Sequence, residues 1–516
     1  MIAGGPEMTR VVLTADRTLM SEYQNNMFFG FSASFPKKFM PAPIYYRMFA
    51  PSVPVRQGRA VLAPYALRKI EAALLADGFS QDDVVVAHPF HLSRFVDRDT
   101  QVFAVSTMDP LGYGPVTSTF TNIYDNPAYV PGEFREVLSD PSVRKFRPKT
   151  IVGGPGSWQL DRYPGPRDEL GIDCVVTGEG EITFPKLVHM VEKGEALPRS
   201  VEGEIVPTER IPNIANPTVN AMVEVARGCG RGCKFCTPTL LRFRCRSIQD
   251  ILKEVEVNTR AGYKQIYIHA EDVWRYGAKG IRPDKGKVIE LFKTIYNFDG
   301  VTKVFPSHGA LASVACEKDL LPSVSEVLEM GEDNLNAYQT GVETGSPAVV
   351  ERHMKGKVKP FKPEEWPEVV RQAFEISVDS HWIPCATMMV GLPGETDDDV
   401  VRSIELLDKV RDLMSGVFPL FFVAMGNMSG EGNFTKDGMT PLHWEFIVRC
   451  WEHNLRYIPY FVRHGGMENR FWNFVLERVL VPLGRAKLDG YADRMRSEMG
   501  EEIKKRLSAH SYAAPA

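Results

Sequence analysis

The chain has 516 residues, 44% of them apolar and 24% charged, with 61 Lys and Arg against 65 Asp and Glu for a formal charge of -4. That length implies two to four domains of ordinary globular composition. The near-neutral balance predicts no nucleic-acid footprint, no apolar run reaches the ~20 residues that span a bilayer, and the opening MIAGGPEMTR lacks a basic-then-apolar export pattern, so a cytoplasmic protein starting at Met1 or Met8 is expected.

In chain order, Arg10–Asp16 (RVVLTAD) predicts a strand. Residues 24–59, rich in Pro, Phe and Met with no simple period, predict a long loop packing over a site. Ala60–Asp77 predicts a helix with Pro64 in its first turn and Gly78 ending it. Asp83–His88, Gln101–Thr107, Lys149–Gly154 and Asp173–Thr177 predict strands, and a helix follows from Glu181. This alternation predicts an α/β, doubly wound Rossmann-like domain over 1–195. Residues 196–220 lack periodicity and contain Pro, which predicts a linker.

A second β/α series starts at Ala221. Met222–Ala226 predicts a strand that runs into a cysteine-rich loop. Ser247-Ile-Gln-Asp250 is a capping box opening a helix to about Arg260. Strands are predicted at Gln265–His269, Lys303–Phe305, Asn336–Val342, Ala386–Val390 and Phe421–Met425, with helices between them, one of them capped at Thr396. That is a partial (β/α)6 barrel over 221–426, whose working face is the C-terminal end of its strands. Residues 427–516 predict a helical region. Its aromatics (Trp444, Phe446, Trp451, Tyr457, Tyr460, Phe461, Phe471, Trp472) suit the core of a helical cap or the lining of an apolar cavity.

Cys229, Cys233 and Cys236 are spaced C-x3-C-x2-C where the first barrel strand ends. Zinc prefers four ligands, so a zinc knuckle would need Cys245 as well. Three thiolates on a four-iron cluster leave one iron open to an exchangeable ligand. The other five cysteines are scattered; Cys174 and Cys385 lie in apolar strands and read as small buried hydrophobes.

The triplet, with Phe235 before its last cysteine, resembles the radical S-adenosylmethionine (SAM) superfamily. Further segments agree with that family in order and spacing. Glu271-Asp272 stands where the family has a polar strand end near the SAM amino group, although its usual Gly-Gly is missing. Gly341-Val-Glu-Thr-Gly-Ser346, with Glu343 and Ser346, is similar to the segment contacting the SAM ribose and carboxylate. Gly391-Leu-Pro-Gly-Glu-Thr396 resembles the segment against adenine. Met354-Lys-Gly356 and the R-x-R-S run Arg244–Ser247 match smaller signatures. The resemblance covers 221–425 and implies a [4Fe-4S] cluster on the three cysteines. It also implies SAM cleavage to a 5'-deoxyadenosyl radical.

Radical SAM proteins with an N-terminal doubly wound domain mostly resemble the cobalamin-binding (class B) methyltransferases. The matching stretches are Ser106-Thr107, Ile151-Val-Gly-Gly-Pro155 (with Gly153 and Gly154) and Val176-Thr-Gly-Glu-Gly-Glu181 (with Gly178 and Glu179). The cobalt-ligating D-x-H-x-x-G motif is absent, and His88 and His91 do not replace it. In members without that motif the cobalt's lower face meets the loop after the hydroxyl-pair strand, here Met108–Pro115, which puts Met108 or Tyr113 beneath cobalt. The resemblance therefore implies a cobalamin-dependent methyltransferase acting on an unactivated sp3 carbon through methylcobalamin. Its substrate would be a peptide or protein residue or a small molecule, and its reducing power would come from an external electron donor. Length and layout are similar to archaeal enzymes that C-methylate a glutamine of methyl-coenzyme M reductase. The alternatives are ring formation or carbon coupling by a radical SAM enzyme, and a non-catalytic cobalamin or cluster sensor. Methylthiolation would need a second cysteine triplet, and Cys174 is the single cysteine before Cys229.

Overall fold

The structure, a computed structural model, describes residues 10–465, 470–498 and 507. The first nine residues, which include both candidate starts, and most of the charged segment expected near 494–507 lie outside the described residues. The chain packs into two compact units, one of residues 1–223 with 247–263 and one of residues 224–246 with 264–516.

The first unit is built on a six-stranded sheet. Its strands are β1 (Val11–Ala15), β2 (Val84–Val86), β3 (Val102–Ser106), β4 (Lys149–Gly153), β5 (Cys174–Gly178) and β6 (Ser200–Gly203). The order is β2-β1-β3-β4-β5-β6 and its five pairings are parallel. The expected doubly wound sheet is present, and its order reverses direction between β1 and β3, where such sheets bind ligands. Strands β1, β2 and β3 are buried throughout because helices cover both faces: Val11, Leu13, Val84 and Val102 enter one core, Val12, Val85, Phe103 and Val105 the other. β6 falls inside the segment read as aperiodic, and it pairs with β5 in register Val175↔Ser200 to Gly178↔Gly203.

Residues 24–59 are not one long loop. They fold as short 3-10 turns, a helix Ala42–Met48 and a two-residue-stranded hairpin at Val55–Ala60. Aromatic packing substitutes for periodicity: Tyr45 stacks on Tyr129 at 4.1 Å and Phe35 meets Phe120 edge-on at 4.6 Å. The helix Ile248–Arg260, capped by Ser247 Oγ as its sequence predicts, packs within this first unit. There Lys69 Nζ is 2.5 Å from Glu254 Oε1, and Thr218 N donates to Asn258 Oδ1 at 3.0 Å.

The second unit is the barrel. β7 (Met222–Glu224) spans the boundary from the first unit, and the wall of the second runs through β8 (Gln265–His269), β9 (Lys303–Pro306), β10 (Asn336–Glu343), β11 (Trp382–Val390) and β12 (Gly416–Phe421). The β8-β9 and β10-β11-β12 sets are parallel, and the His308–Gln339 bridge joins them. Alternation is visible along β10 and β11: Tyr338, Thr340, Ala386 and Met388 are buried, while Gln339, Gly341, Cys385 and Thr387 are half-buried. The last strand differs from expectation. It is Gly416–Phe421, not Phe421–Met425. Pro419 lacks a donor, and an outermost strand tolerates that. The helix Pro441–Gly465 covers this edge through Asn454, which accepts from Val417 N at 2.7 Å and donates to Val417 O at 2.6 Å. Phe446 of that helix is buried, whereas Phe471 is exposed.

Candidate active site: a cysteine loop and a strand-end face

In the second unit the cysteine loop is held by its own backbone and by two buried arginines. Cys229 N donates to Pro238 O and Leu241 O at 3.1 and 3.3 Å, and Cys236 N to Cys233 O at 3.3 Å. Gly228 has φ +75, and a Cβ there would stand 2.6 Å from Arg242 O, so the turn demands glycine. Arg231, between the first two cysteines, is buried. Its guanidinium donates to Asp272 Oδ2 at 2.9 Å, Ser313 Oγ at 2.8 Å, Lys357 O at 3.1 Å and Lys359 O at 3.3 Å. Arg275 donates to Cys229 O at 3.0 Å. Burial raises all three thiols, Cys233 to about 11 and Cys236 to about 12, with each further raised by a neighbouring cysteine or carboxylate. Such thiols ionise only when a cation replaces their protons.

Strand ends around the loop carry the charged groups. Of the pair Glu271 and Asp272, the structure separates the roles. Asp272 is fully buried and saturated by Arg231, Ser313 Oγ (2.9 Å) and Ala310 N (3.0 Å). Glu271 makes no hydrogen bond among the described residues, its carboxyl is raised by burial, and its field reaches Cys236. Glu343 sits at the end of β10 with φ +67, after a bulge. It accepts from Lys357 Nζ at 2.6 Å and from Thr387 Oγ1 at 3.2 Å. Burial pulls Lys357 down, but Glu343 and Cys233 outweigh it and its affinity for the proton is raised. Ser346 is wholly buried: its hydroxyl donates to Asp399 and accepts from Val349 N. Gly391 has φ +80, and a Cβ there would overlap the Phe434 ring at 2.0 Å.

Cys245 points elsewhere, accepting from Gly277 N at 3.2 Å. Among the described residues no group of three or more His, Cys, Asp or Glu is close enough to hold a single metal ion. The second unit also contains polar residues that sequence reasoning missed. Lys357 and Arg231 are two, and no local signal in the sequence separates them from surface cations. The pair His269 and His308 is another. Both Nδ1 atoms lie within 3.0 Å of Ser307 Oγ, and burial lowers both, His308 to about 4.

In the first unit the strand ends of β1, β2 and β3 gather polar atoms without partners. Asp16 Oδ2, Arg17 Nε, His88 Nε2 and Thr107 Oγ1, with Thr117 Oγ1 of the following helix Pro115–Tyr124, are buried and unpaired among the described residues. Burial pushes the Asp16 carboxyl up to about 6 and His88 down to about 4. Ser106 and Thr107 close β3. Gly154 has φ +97, and a Cβ there would lie 2.7 Å from Thr107 O and 2.8 Å from Ser106 Oγ, so glycine brings the two strand ends together. Gly153, the last residue of β4, meets only ordinary contacts. The loop after β3 is pinned by Asp109, which accepts from Gly114 N (2.9 Å) and Gln159 Nε2 (2.6 Å). It leaves Met108 52% and Tyr113 38% exposed, and Phe90 after β2 is 57% exposed. Gly178 has φ +75. Glu179 accepts from Val206 N at 2.8 Å, so its carboxylate fastens the segment that carries β6.

Residues 223–407 match the radical SAM superfamily model. A tRNA-2-methylthio-N(6)-dimethylallyladenosine synthase of Syntrophomonas wolfei is 24% identical over 282 residues, 52% of this chain and 58% of its own. The ribosomal protein uS12 methylthiotransferase RimO of Dictyoglomus thermophilum is 28% identical over 252 residues, 48% of this chain and 52% of its own. The chain therefore spans little more than half the length of these curated relatives. Among solved structures, the radical SAM methyltransferase TsrM from Kitasatospora setae, with cobalamin and a [4Fe-4S] cluster bound, superposes with a TM-score of 0.53 at 14% identity over 81% of this chain and 77% of that one. TsrM with tryptophan and a SAM analogue bound gives 0.55 at 14% identity, over 97% of this chain and all of that one. At that identity the likeness is one of fold.

Proposed function

We propose that the chain is a cobalamin-dependent radical SAM methyltransferase that methylates an unactivated sp3 carbon of a peptide or protein residue. One observation carries this reading. A three-cysteine loop inside a radical SAM match shares a chain with a doubly wound unit whose strand ends combine exposed apolar side chains with buried, unpaired polar atoms. The donor sets fit the implied groups. Cys229, Cys233 and Cys236 would hold the cluster. The Met108, Tyr113 and Phe90 surface suits a broad macrocycle, and the unpaired Thr107 and Thr117 hydroxyls suit the carboxamides at its rim. When bound, the cluster supplies a low-potential electron to SAM and cobalamin supplies a transferable methyl group.

The chain's own residues then bind and orient. Glu271 offers an unpaired carboxylate to the SAM ammonium. Glu343, oriented by Lys357 and Thr387, would accept from the ribose hydroxyls. Gly391, its N–H bonded to Glu395 Oε2 at 2.7 Å and its Cα against the Phe434 ring, would shape the turn beside the adenine. Ser346 acts one layer below, holding the strand end through Asp399 and Val349 N. SAM, the cluster and cobalamin are bound in the solved TsrM structures, the first as an analogue. Methylthiolation, the activity named for the sequence relatives, is disfavoured: Cys174, the single cysteine before Cys229, is buried in β5 with its thiol pushed up to about 11.

The test is anaerobic, cluster-reconstituted protein given cobalamin, reductant and deuterated-methyl SAM, followed by mass spectrometry. Labelled methylcobalamin together with 5'-deoxyadenosine is expected. Deoxyadenosine without methylcobalamin would overturn the methyltransferase reading in favour of other radical chemistry.

A further inference from the structure

The proposed chemistry consumes electrons, and a second feature of the barrel unit bears on how they arrive. Two loops beyond the cysteine loop form a surface groove lined by Gly280, Ile281, Arg282, Lys359, Pro360 and Phe361. Residues 277–285 carry three cations and one carboxylate, and residues 354–362 carry four cations and none. Two of the seven are committed, Lys355 to Glu351 and Lys357 to Glu343. Lys279, Arg282, Lys285, Lys359 and Lys362 have no ion-pair partner among the described residues, and all but the half-buried Lys285 are exposed. The nearby carboxylates Asp284 and Glu365 are used as caps, accepting from Lys287 N at 3.0 Å and Lys362 N at 2.8 Å. The groove floor is apolar and its rim positive, the mixture that recognises an acidic protein with an apolar centre.

The groove is one hydrogen bond from the cysteine loop. Lys359 O accepts from the guanidinium of Arg231, whose backbone lies between Cys229 and Cys233. The neighbouring Gly356 approaches so closely that a Cβ there would stand 1.6 Å from Arg231 O. A carrier seated here therefore abuts the peptide that wraps the proposed cluster.

We propose that the groove between residues 279–282 and 359–362 docks an acidic one-electron carrier protein, a flavodoxin-type flavoprotein. The inference rests on the radical SAM reading above. The step balances simply: a flavin hydroquinone gives one electron to the oxidised cluster and becomes the semiquinone, with no bond made or broken. Unpaired cations in that ring would steer the encounter, so its rate would fall steeply with salt.

The test is stopped-flow bleaching of the cluster in the full-length reconstituted protein, driven by an acidic flavodoxin hydroquinone or by dithionite. For the Arg282→Glu/Lys362→Glu variant, flavodoxin-driven reduction is expected to slow at least about tenfold and lose its salt dependence. Dithionite-driven reduction should keep its wild-type rate, which shows that the cluster is intact. Unchanged flavodoxin rates in the variant would overturn the docking site alone. So would lost tRNA binding with flavodoxin-driven reduction intact, since that would make the groove an RNA contact. A wild-type protein that neither reductant bleaches would remove the cluster reading and this inference with it.

Discussion

Gly356→Ala tests whether the β10 loop shapes the cysteine loop. The added Cβ would stand 1.6 Å from Arg231 O, and real Cβ contacts essentially never fall below 3.0 Å, so the two peptides must part by 3.0 - 1.6 = 1.4 Å. Neither neighbour is a flexible side-chain end. Arg231 is tied to Asp272, Ser313, Lys357 O and Lys359 O, so moving its peptide loosens that whole set. Overpacking costs roughly 1–3 kcal/mol, and weakening one bond to a charged group about 1.5–3 kcal/mol. We expect a loss of about 3–5 kcal/mol in urea unfolding of the metal-free protein. The shift also far exceeds the ~0.2 Å within which metal–ligand distances are held. Reconstituted iron should therefore fall below half the wild-type content. Gly331→Ala is the control, since a Cβ there meets nothing within 4 Å. Wild-type stability and full iron in Gly356→Ala would refute the argument that this contact positions the loop.

Lys357→Met leaves Glu343 with only Thr387 as a hydrogen-bond partner among the described residues, and breaking a buried pair costs about 3–5 kcal/mol; adding Glu343→Gln should recover much of the loss in the same unfolding assay. Asp16 has its carboxyl raised from 3.8 to about 6. The native state therefore holds that proton more tightly than the unfolded chain does. Its contribution is complete below pH ~4 and is lost as pH rises through 6, a fall of about 3 kcal/mol. Asp16→Asn, which can keep the Thr18 and Leu19 bonds, should match wild type at pH 4 and exceed it by up to about 3 kcal/mol at pH 8 in metal-free and cobalamin-free protein; equal stabilities across that range would refute it. Thr107→Val deletes a buried hydroxyl that has no partner. Stability without cobalamin should stay level or rise slightly, while the Kd for hydroxocobalamin, read by absorbance titration, should rise about five- to tenfold.

Much of this protein was legible in its local patterns. Apolar runs located β1, β3, β4 and β5, because strands buried on both faces need no partner information to look apolar. Caps at Ser247 and Thr396 were equally legible, since each is a bond between residues three apart. Cysteine spacing marked the loop for the same reason. Other features were decided only in three dimensions. The apolar run 417–425 holds several possible strand registers, and pairing with β11 selected Gly416–Phe421. Residues 24–59 show no period because tyrosine stacking against Tyr129, far along the chain, orders them. Glu271 and Asp272 are adjacent carboxylates in sequence. Arg231, 41 residues away, saturates one and leaves the other open. Lys357 looks like an ordinary surface-loop residue until the fold carries it against a loop about 126 residues earlier, where Arg231 reaches Lys357 O. A chemical motif set by chain spacing is written in the sequence, but which of its charges stay unpaired depends on partners that only folding brings within bonding distance.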